Sequence, residues 1–382
     1  MSTQTMGVEE EFLLVDPACG ATVPVAEKVV ARASAADLPA GATIQRELRD
    51  TQAEAATGIC VTAAELRAHL AAGRRAVAAA ARDHGAVAVA SASPVCESGG
   101  GVPSTLPRFA AIDDMYGEVT RDYEACGCHV HVGVADRDTA VAVVNHLAPW
   151  LPTLLALSVN SPFHRERDTG YGSWRIVQQS RFPGSGLAPY FRDHAAFRAE
   201  VGRLVECGTL ADEAQTFWFA RPSPKLPTVE FRVADTASTL DEAVLHALLG
   251  RALVRVALAD LDRGREAEPV PTQVAAAAVW NAARYGPTGP GIHLGLLRRV
   301  PAAHLVTALL DHIRDALTET GDLRNVHAQV DRLRSDGTGA DRQRRVAESG
   351  GLPAVVTELT LRDEPDAPGY SEAAHPPEEP HG

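Results

Sequence analysis

The chain has 382 residues, and 45% of them are hydrophobic, which is enough apolar material for a large core and excludes wholesale disorder. Thirty-six basic residues stand against 49 acidic ones, a formal charge of −13, which argues against a nucleic-acid binder with its clustered basic face. No Gly-x-x-x-x-Gly-Lys run occurs, so a P-loop is excluded.

The first residues, MSTQTMGVEEEF, carry neither a basic n-region nor an apolar h-region, so no signal peptide is expected. The six cysteines are then expected to be reduced thiols of a cytoplasmic protein. Cys126 and Cys128 flank one glycine, but no second cysteine pair completes a zinc site. Residues 7–15 read as a strand that ends at Asp16-Pro17, and residues 47–57 as a second extended stretch. Thr62 with Glu65 is a capping-box signature, and it opens a helix expected to reach His84. Residues 86–90 read as a buried strand, 98–107 as a Gly/Pro loop and 128–134 as a strand. A helix is expected from Asp138 to Val159; with Asn145, His146 and two prolines in its apolar stretch, it reads as buried and not as a membrane span. Residues 166–172 form a charged loop, 228–234 a strand and 240–263 a long helix. The remainder to Leu361 reads as helical, including 301–320 with its Pro start and Gly321 stop. No linker splits the chain, so one α+β domain over 1–362 is expected, with a disordered tail over 363–382.

Three strands share an unusual polar face. A strand sends alternate side chains to opposite sides. Glu9 and Glu11 therefore share a face, with Glu10 opposite; His129 and His131 share a face; Glu230 and Arg232 share a face while Val229, Phe231 and Val233 oppose them. Taken singly, each is an ordinary solvated or core-edge pattern. Taken together, they place acids and imidazoles on one sheet surface, where clustered carboxylates need a cation between them. Glu47 and Glu54 offer two more carboxylates. Oxygen ligands with an imidazole suit Mg²⁺ or Mn²⁺ better than zinc. Arg167 and Arg175 flank the run from Asp168 to Trp174, and Arg221 lies in Trp218-Phe-Ala-Arg-Pro222. Guanidinium forks bind carboxylates and phosphates bidentately, so metal-holding carboxylates with arginines and no P-loop suggest phosphoryl transfer from a nucleotide.

Five runs resemble the bacterial carboxylate–amine ligases of the glutamate–cysteine ligase type 2 family. They are Met6-Gly-Val-Glu-Glu-Glu-Phe12, Cys126-Gly-Cys-His-Val-His-Val-Gly133, Asn160-Ser-Pro-Phe163 followed by Asp168-Thr-Gly-Tyr171, Thr228-Val-Glu-Phe-Arg-Val233 and Ala282-Ala-Arg-Tyr-Gly286, in the family's order. The resemblance implies a glutamine-synthetase-like fold, an antiparallel sheet funnel flanked by helices. It implies ATP and two or three Mg²⁺ ions as cofactors, with glutamate or a similar acid and an amino acid or amine as substrates. It implies Glu9, Glu11, Glu47, Glu54, His129 and Glu230 as metal ligands. It implies Arg232, Arg175 and His131 as catalytic groups and Arg167, Tyr171 and Arg221 as substrate contacts. The expected chemistry is an acyl phosphate made from a carboxylate, most often the γ-carboxylate of glutamate, and then displaced by an amine. A homodimer is expected, with no nucleic-acid or membrane partner.

The chain departs from the family pattern at Phe219, where an acid is expected, at Ala277 and Ala278, where Glu-Asn is expected, and at His164, where Trp is usual. These departures leave other readings open. One is a ligase of the same fold joining a different acid or amine. Another is a relative that only phosphorylates. The remaining two are a metal-dependent hydrolase and a catalytically altered binding protein.

Overall fold

A computed structural model describes residues 4–96 and 103–362. Its strands in chain order are β1 (Met6–Val15), β2 (Thr43–Arg46), β3 (Gln52–Ala56), β4 (Val87–Val89), β5 (Gly127–Gly133), β6 (Phe163–His164), β7 (Arg167–Asp168), β8 (Ala220–Pro222), β9 (Thr228–Asp235), β10 (Pro290–His293) and β11 (Arg298–Pro301). The main sheet is antiparallel and runs β2-β3-β1-β5-β9-β8, with β4 also paired to β1. This is the α+β architecture expected, built on the three strands singled out by their alternating faces.

One face of the sheet is apolar and buried. Val8, Val130, Val132, Val229, Phe231 and Val233 pack there against Leu66, Leu70, Leu245, Leu248 and Leu249. Those leucines come from the helices Ala63–Asp83 and Leu240–Asp262. Burying each such side chain is worth about 1.5–3 kcal/mol, so this interface is the main stabiliser of the fold. Gly250 sits where the long helix meets the sheet; a Cβ there would make ordinary contacts, 3.4 Å from the Phe231 ring and 3.5 Å from Val130. The helix Ala63–Asp83 opens with the expected capping box, Thr62 accepting from the Glu65 N–H and Glu65 accepting from the Thr62 N–H. Glu10 points to this helix face. It is 1% exposed and holds Arg74 through two hydrogen bonds of 2.6 and 2.9 Å, so its charge is neutralised inside the core. A further layer, Ala302–Glu319 and Leu323–Asp336, covers the long helix.

Four expectations change. The helix expected over 138–159 is two helices, Arg137–Leu147 and Leu151–Ser158, bent by 68°. Pro149 falls in the break, where its missing N–H would interrupt the ladder, and Pro152 sits in the first turn of the second helix, where that loss is harmless. The stretch 47–57 is a strand only from Gln52, because residues 47–51 turn the chain between β2 and β3. The region after residue 263 is not wholly helical: the Gly/Pro-rich run from 286 to 291 leads into the hairpin β10–β11. Of the expected loop 98–107, residues 98–102 lie outside the described residues, and Pro107 starts the helix Pro107–Tyr116. The expected tail 363–382 also lies outside them. No single described helix is long and apolar enough to cross a membrane.

The last described segment returns to the sheet. Ala90 N–H donates to the Leu359 carbonyl at 2.9 Å, and Leu361 N–H donates to the Ala88 carbonyl at 2.8 Å, flanking the Val89–Thr360 bridge beside β4.

Candidate active site

The face opposite the helices carries the polar residues, and strand register brings them together. Glu9 lies opposite His129, Glu11 opposite Glu54, and His131 opposite Glu230. Glu230 in turn faces Arg221 on β8. Three groups of ligand-capable atoms result, each with its atoms within 4.8 Å of one another: Glu9, Glu54 and His129; Glu9, His131 and Glu230; and Glu11, Glu47 and Glu54. Glu9 and Glu54 each belong to two groups, so the three are continuous. Glu47 joins from the turn after β2, and its carboxylate accepts from its neighbour Leu48 N–H at 3.0 Å.

Burial and repulsion dominate the electrostatics. Burial pushes the Glu11 carboxyl up to about 8, reinforced by the Glu47 charge and opposed by Arg175 and the Gly127 N–H. Burial likewise raises Glu47. Glu54 is pushed well up by burial and then by the charges of Glu9, Glu47 and Glu11. Glu9 goes the other way: burial would raise it, but hydrogen bonds and charges from His129 and His131 outweigh that and hold it low. His129 is lowered to about 4 by burial and the Arg232 charge, so its ring is neutral and able to ligate a cation. Its Nδ1 lies 3.3 Å from Glu9 and its Nε2 3.8 Å from Glu11. His131 is raised: burial opposes the shift, and the Glu9 hydrogen bond and Glu230 charge overcome it. Its Nδ1 pairs with the Thr228 hydroxyl at 2.9 Å, while the buried Nε2 has no well-directed hydrogen bond and sits 3.3 Å from Glu9.

These groups fit a divalent cation. Three carboxyls raised by burial and mutual repulsion, together with a neutral imidazole, lack a positive partner that a cation would supply. The oxygen-rich donor set matches Mg²⁺ or Mn²⁺.

The arginines divide into engaged and available. Arg232 donates to Glu230 at 2.5 Å, yet its buried Nε has no partner, which leaves a directed donor beside the acids. Arg175 donates to the Arg232 carbonyl at 3.0 Å and the Val233 carbonyl at 3.4 Å, and lies 3.7 Å from Asp235. Arg221, expected as a substrate contact, lies buried against Glu230. It is 5% exposed, and its Nε and both Nη groups donate to Glu230, the Ala214 and Thr216 carbonyls and the Thr216 hydroxyl, so most of its donors are engaged within the protein. Arg167, likewise expected as a substrate contact, stands exposed on the β6–β7 hairpin, and among the described residues no hydrogen bond or ion pair ties it to the cluster. Tyr171 is half-buried in a separate aromatic group, its hydroxyl accepting from Trp280 at 3.0 Å. Glu230, read from sequence as a metal ligand, is within ligand range of Glu9 and His131 but is also clamped by Arg221 and Arg232, which hold its carboxyl well down against burial.

Three site residues escaped the sequence reading. Tyr123 is buried near Glu11, Glu47, Arg175 and Arg232, and burial lifts its hydroxyl to about 12. Asp235 accepts from Asn160 N–H and from the Ser161 and Ser173 hydroxyls, each at 2.8 Å, and so anchors the segment that carries Arg175. Gly127 donates to Glu11 at 2.6 Å, and a Cβ on it would lie 2.7 Å from Arg175 Nη2 and 2.9 Å from His129 Nε2. Both neighbours are buried, so neither can yield cheaply. Gly127→Ala is expected to lower turnover at least tenfold while thermal denaturation still shows a cooperative fold. Unchanged turnover would show that Arg175 and His129 need not hold these positions.

A second expectation concerns pH. Glu11, pushed up to about 8, keeps a proton in the folded chain that the unfolded chain has lost, and Glu47, Glu54 and His131 are shifted in the same direction, so stability falls as pH rises from about 7 to 8.5. The lowered carboxylates Glu9 and Glu230 titrate below that window in both states, whereas the lowered histidines His129, His164, His246 and His312 act in the opposite sense near pH 6.5, where their unfolded forms still hold protons, so the fall sets in only above it. One carboxyl held protonated across the window costs up to about 2 kcal/mol. Thermal melts in chelator should show Tm dropping from pH 7 to 8.5, and millimolar Mg²⁺ should reverse most of the drop. A flat profile would mean that the cluster is not proton-loaded.

Comparison with known proteins follows the same lines. The family model described as glutamate-cysteine ligase family 2 matches residues 5–358. A relative from Saccharopolyspora erythraea, provisionally named glutamate–cysteine ligase 2-2, is 53% identical over 362 residues, covering 94% of this chain and 93% of that protein. One from Salinispora tropica, provisionally named glutamate–cysteine ligase 2, is 42% identical over 368 residues, 96% of each. Among solved structures, a glutamate–cysteine ligase from Francisella tularensis in complex with AMP superposes with a TM-score of 0.70 at 13% identity, covering 95% of this chain and 88% of that one. The ligase PafA in complex with the prokaryotic ubiquitin-like protein Pup gives 0.57 at 13% identity, over 94% and 73%. At such identities these two show a shared fold.

Proposed function

The chain belongs to glutamate-cysteine ligase family 2, and from that premise we propose that it is an ATP-dependent carboxylate–amine ligase that makes a γ-glutamyl-type amide through an acyl phosphate. The observation that carries this reading is the continuous run of three acid and imidazole groups joined through Glu9 and Glu54, with the spare donor of Arg232 beside them. The names of the relatives, and the AMP in the Francisella ligase, point the same way.

A carboxylate is a poor acyl donor because its leaving group would be oxide. Transfer of the terminal phosphoryl of ATP to its oxygen releases ADP and gives a carbonyl carbon with phosphate as leaving group. The amine then forms the C–N bond as the C–O bond to phosphate breaks. Between ammonium and amide the nitrogen sheds two protons, one ending on the released phosphate and one in solvent.

Glu11, Glu47, Glu54, Glu9 and His129 would hold Mg²⁺, which supplies charge neutralisation for the transferred phosphoryl. Arg232 directs its free Nε and remaining guanidinium donors at phosphoryl oxygens. Arg175, fixed by Asp235 and two strand carbonyls, adds positive charge at the Glu11 end. Glu230 and Arg221 hold Arg232 in place, and His131 lies between Glu9 and Glu230, which raise its basicity against burial. An enzyme that consumes ATP and free amino acids fits the cytoplasm.

The test is to supply ATP, Mg²⁺, glutamate and a mixture of amino acids and amines. ADP release should require both an acid and an amine, and mass spectrometry should find an amide. ADP release with acid alone and no amide would point to a phosphorylating relative; an ATP-independent reaction would end the reading.

A further inference from the structure

A cavity of about 520 Å³ lies at the β8 edge of the sheet, and nothing above assigns it. Its wall is apolar: Ile176, Leu187, Phe219, Val279 and Trp280 contribute, and Tyr171 stands at the side. It shares two elements with the acidic cluster. Ile176 follows Arg175 in the helix Trp174–Gln179, and the Phe219 carbonyl accepts from the Arg232 N–H at 2.8 Å. Phe219 is the position at which the sequence places an aromatic ring instead of an acid, and it is 1% exposed. Ala277, the neighbouring departure, is exposed and outside the lining. Glu268 is the one lining residue with a formal charge, and the lining holds no arginine, lysine or histidine.

We propose that this cavity receives the amine substrate, and that the amine it favours has an apolar body and no carboxylate. The inference rests on the ligase reading and deepens it. The volume suits a small-molecule ligand. The negative charge of Glu268 favours entry of an ammonium. The carboxylate of an amino acid would enter without a cationic partner, and burying an unpaired charge is costly.

The experiment uses the full chain with ATP, Mg²⁺ and glutamate. Hydroxylamine, too small and polar to need the cavity, reports the activation step as a hydroxamate. Phenethylamine should be ligated with a kcat/KM at least about tenfold above that for cysteine or phenylalanine. Ala276→Phe, at an exposed lining position, should lower the ratio of kcat/KM for phenethylamine to that for hydroxylamine at least about tenfold. Val279→Phe provides a second variant should the first fail to fold. Hydroxamate formation with a preference for cysteine, or a ratio unmoved by both variants, overturns the proposal and leaves the ligase reading standing. Absence of hydroxamate sinks the ligase reading and the proposal with it.

Discussion

Glu54→Gln is expected to reduce ATP-dependent turnover by about 10²–10³-fold, the size of effect seen when one preorganised electrostatic group is removed from an active site. Glu54 belongs to two of the three ligand groups, faces Glu11 across β1 and β3, and shares a carboxyl–carboxyl hydrogen bond with Glu47. Its carboxyl is the most crowded by like charge, since burial and then Glu9, Glu47 and Glu11 all raise it. Burial and these charges favour its neutral form in metal-free protein, and glutamine imitates that form with the same shape. The variant should fold normally in chelator, with Tm unchanged or higher. What it loses is the second charge available to a cation, so the rise in Tm with Mg²⁺ should shrink along with activity. ADP release and melts with and without Mg²⁺ measure both. Wild-type turnover at millimolar Mg²⁺ would remove Glu54 from the machinery.

Arg232→Ala is the second large effect, with kcat expected to fall about 10³-fold, at the lower end for loss of an arginine that neutralises a transferred phosphoryl. The mutation leaves the partner carboxylate held. Glu230 keeps two hydrogen bonds from Arg221, at 2.9 and 3.2 Å, so its buried carboxylate is not orphaned and the sheet should survive. The missing group is the one guanidinium of the set with an unpaired buried Nε. Lysine restores charge but not the planar fork, so Arg232→Lys should recover only a small part of kcat. Circular dichroism that matches wild type alongside full activity in Arg232→Ala would show that the phosphoryl is held by other groups.

The strands that build the site were legible because period-two alternation is local. Glu9 with Glu11 and His129 with His131 announce their shared faces within three residues, and the observed register places them on one surface. Thr62 and Glu65 were legible for the same reason: a cap is decided within four residues. What stayed hidden depends on long-range partners. Arg221 looks like any guanidinium in sequence, and only its pairing across β8 and β9 with Glu230, together with the segment at Ala214 and Thr216, engages its donors. The register shift between Cys128 and Val130 gives β9 an extra residue beside Arg232, which parity alone does not show. Tyr123 reaches the site from outside the sheet, and Asp235 falls out of step with Glu230 and Arg232, so neither carries a periodic signal. The bend near Pro149 was written in the prolines, yet the apolar run around it read as continuous.

The pairing of residues 359–361 with β4 has a consequence for biogenesis. Val89 leaves the ribosome long before Thr360, and at about 5–20 residues per second the gap lasts roughly 14–54 s. Through that interval a nascent chain carries an apolar β edge that nothing has yet covered, a template for contact with neighbouring chains on a polysome. Slower translation, or a fusion that delays release of the segment before residue 362, should therefore tip newly made protein toward inclusion bodies, whereas holdase chaperones should raise the yield of native enzyme.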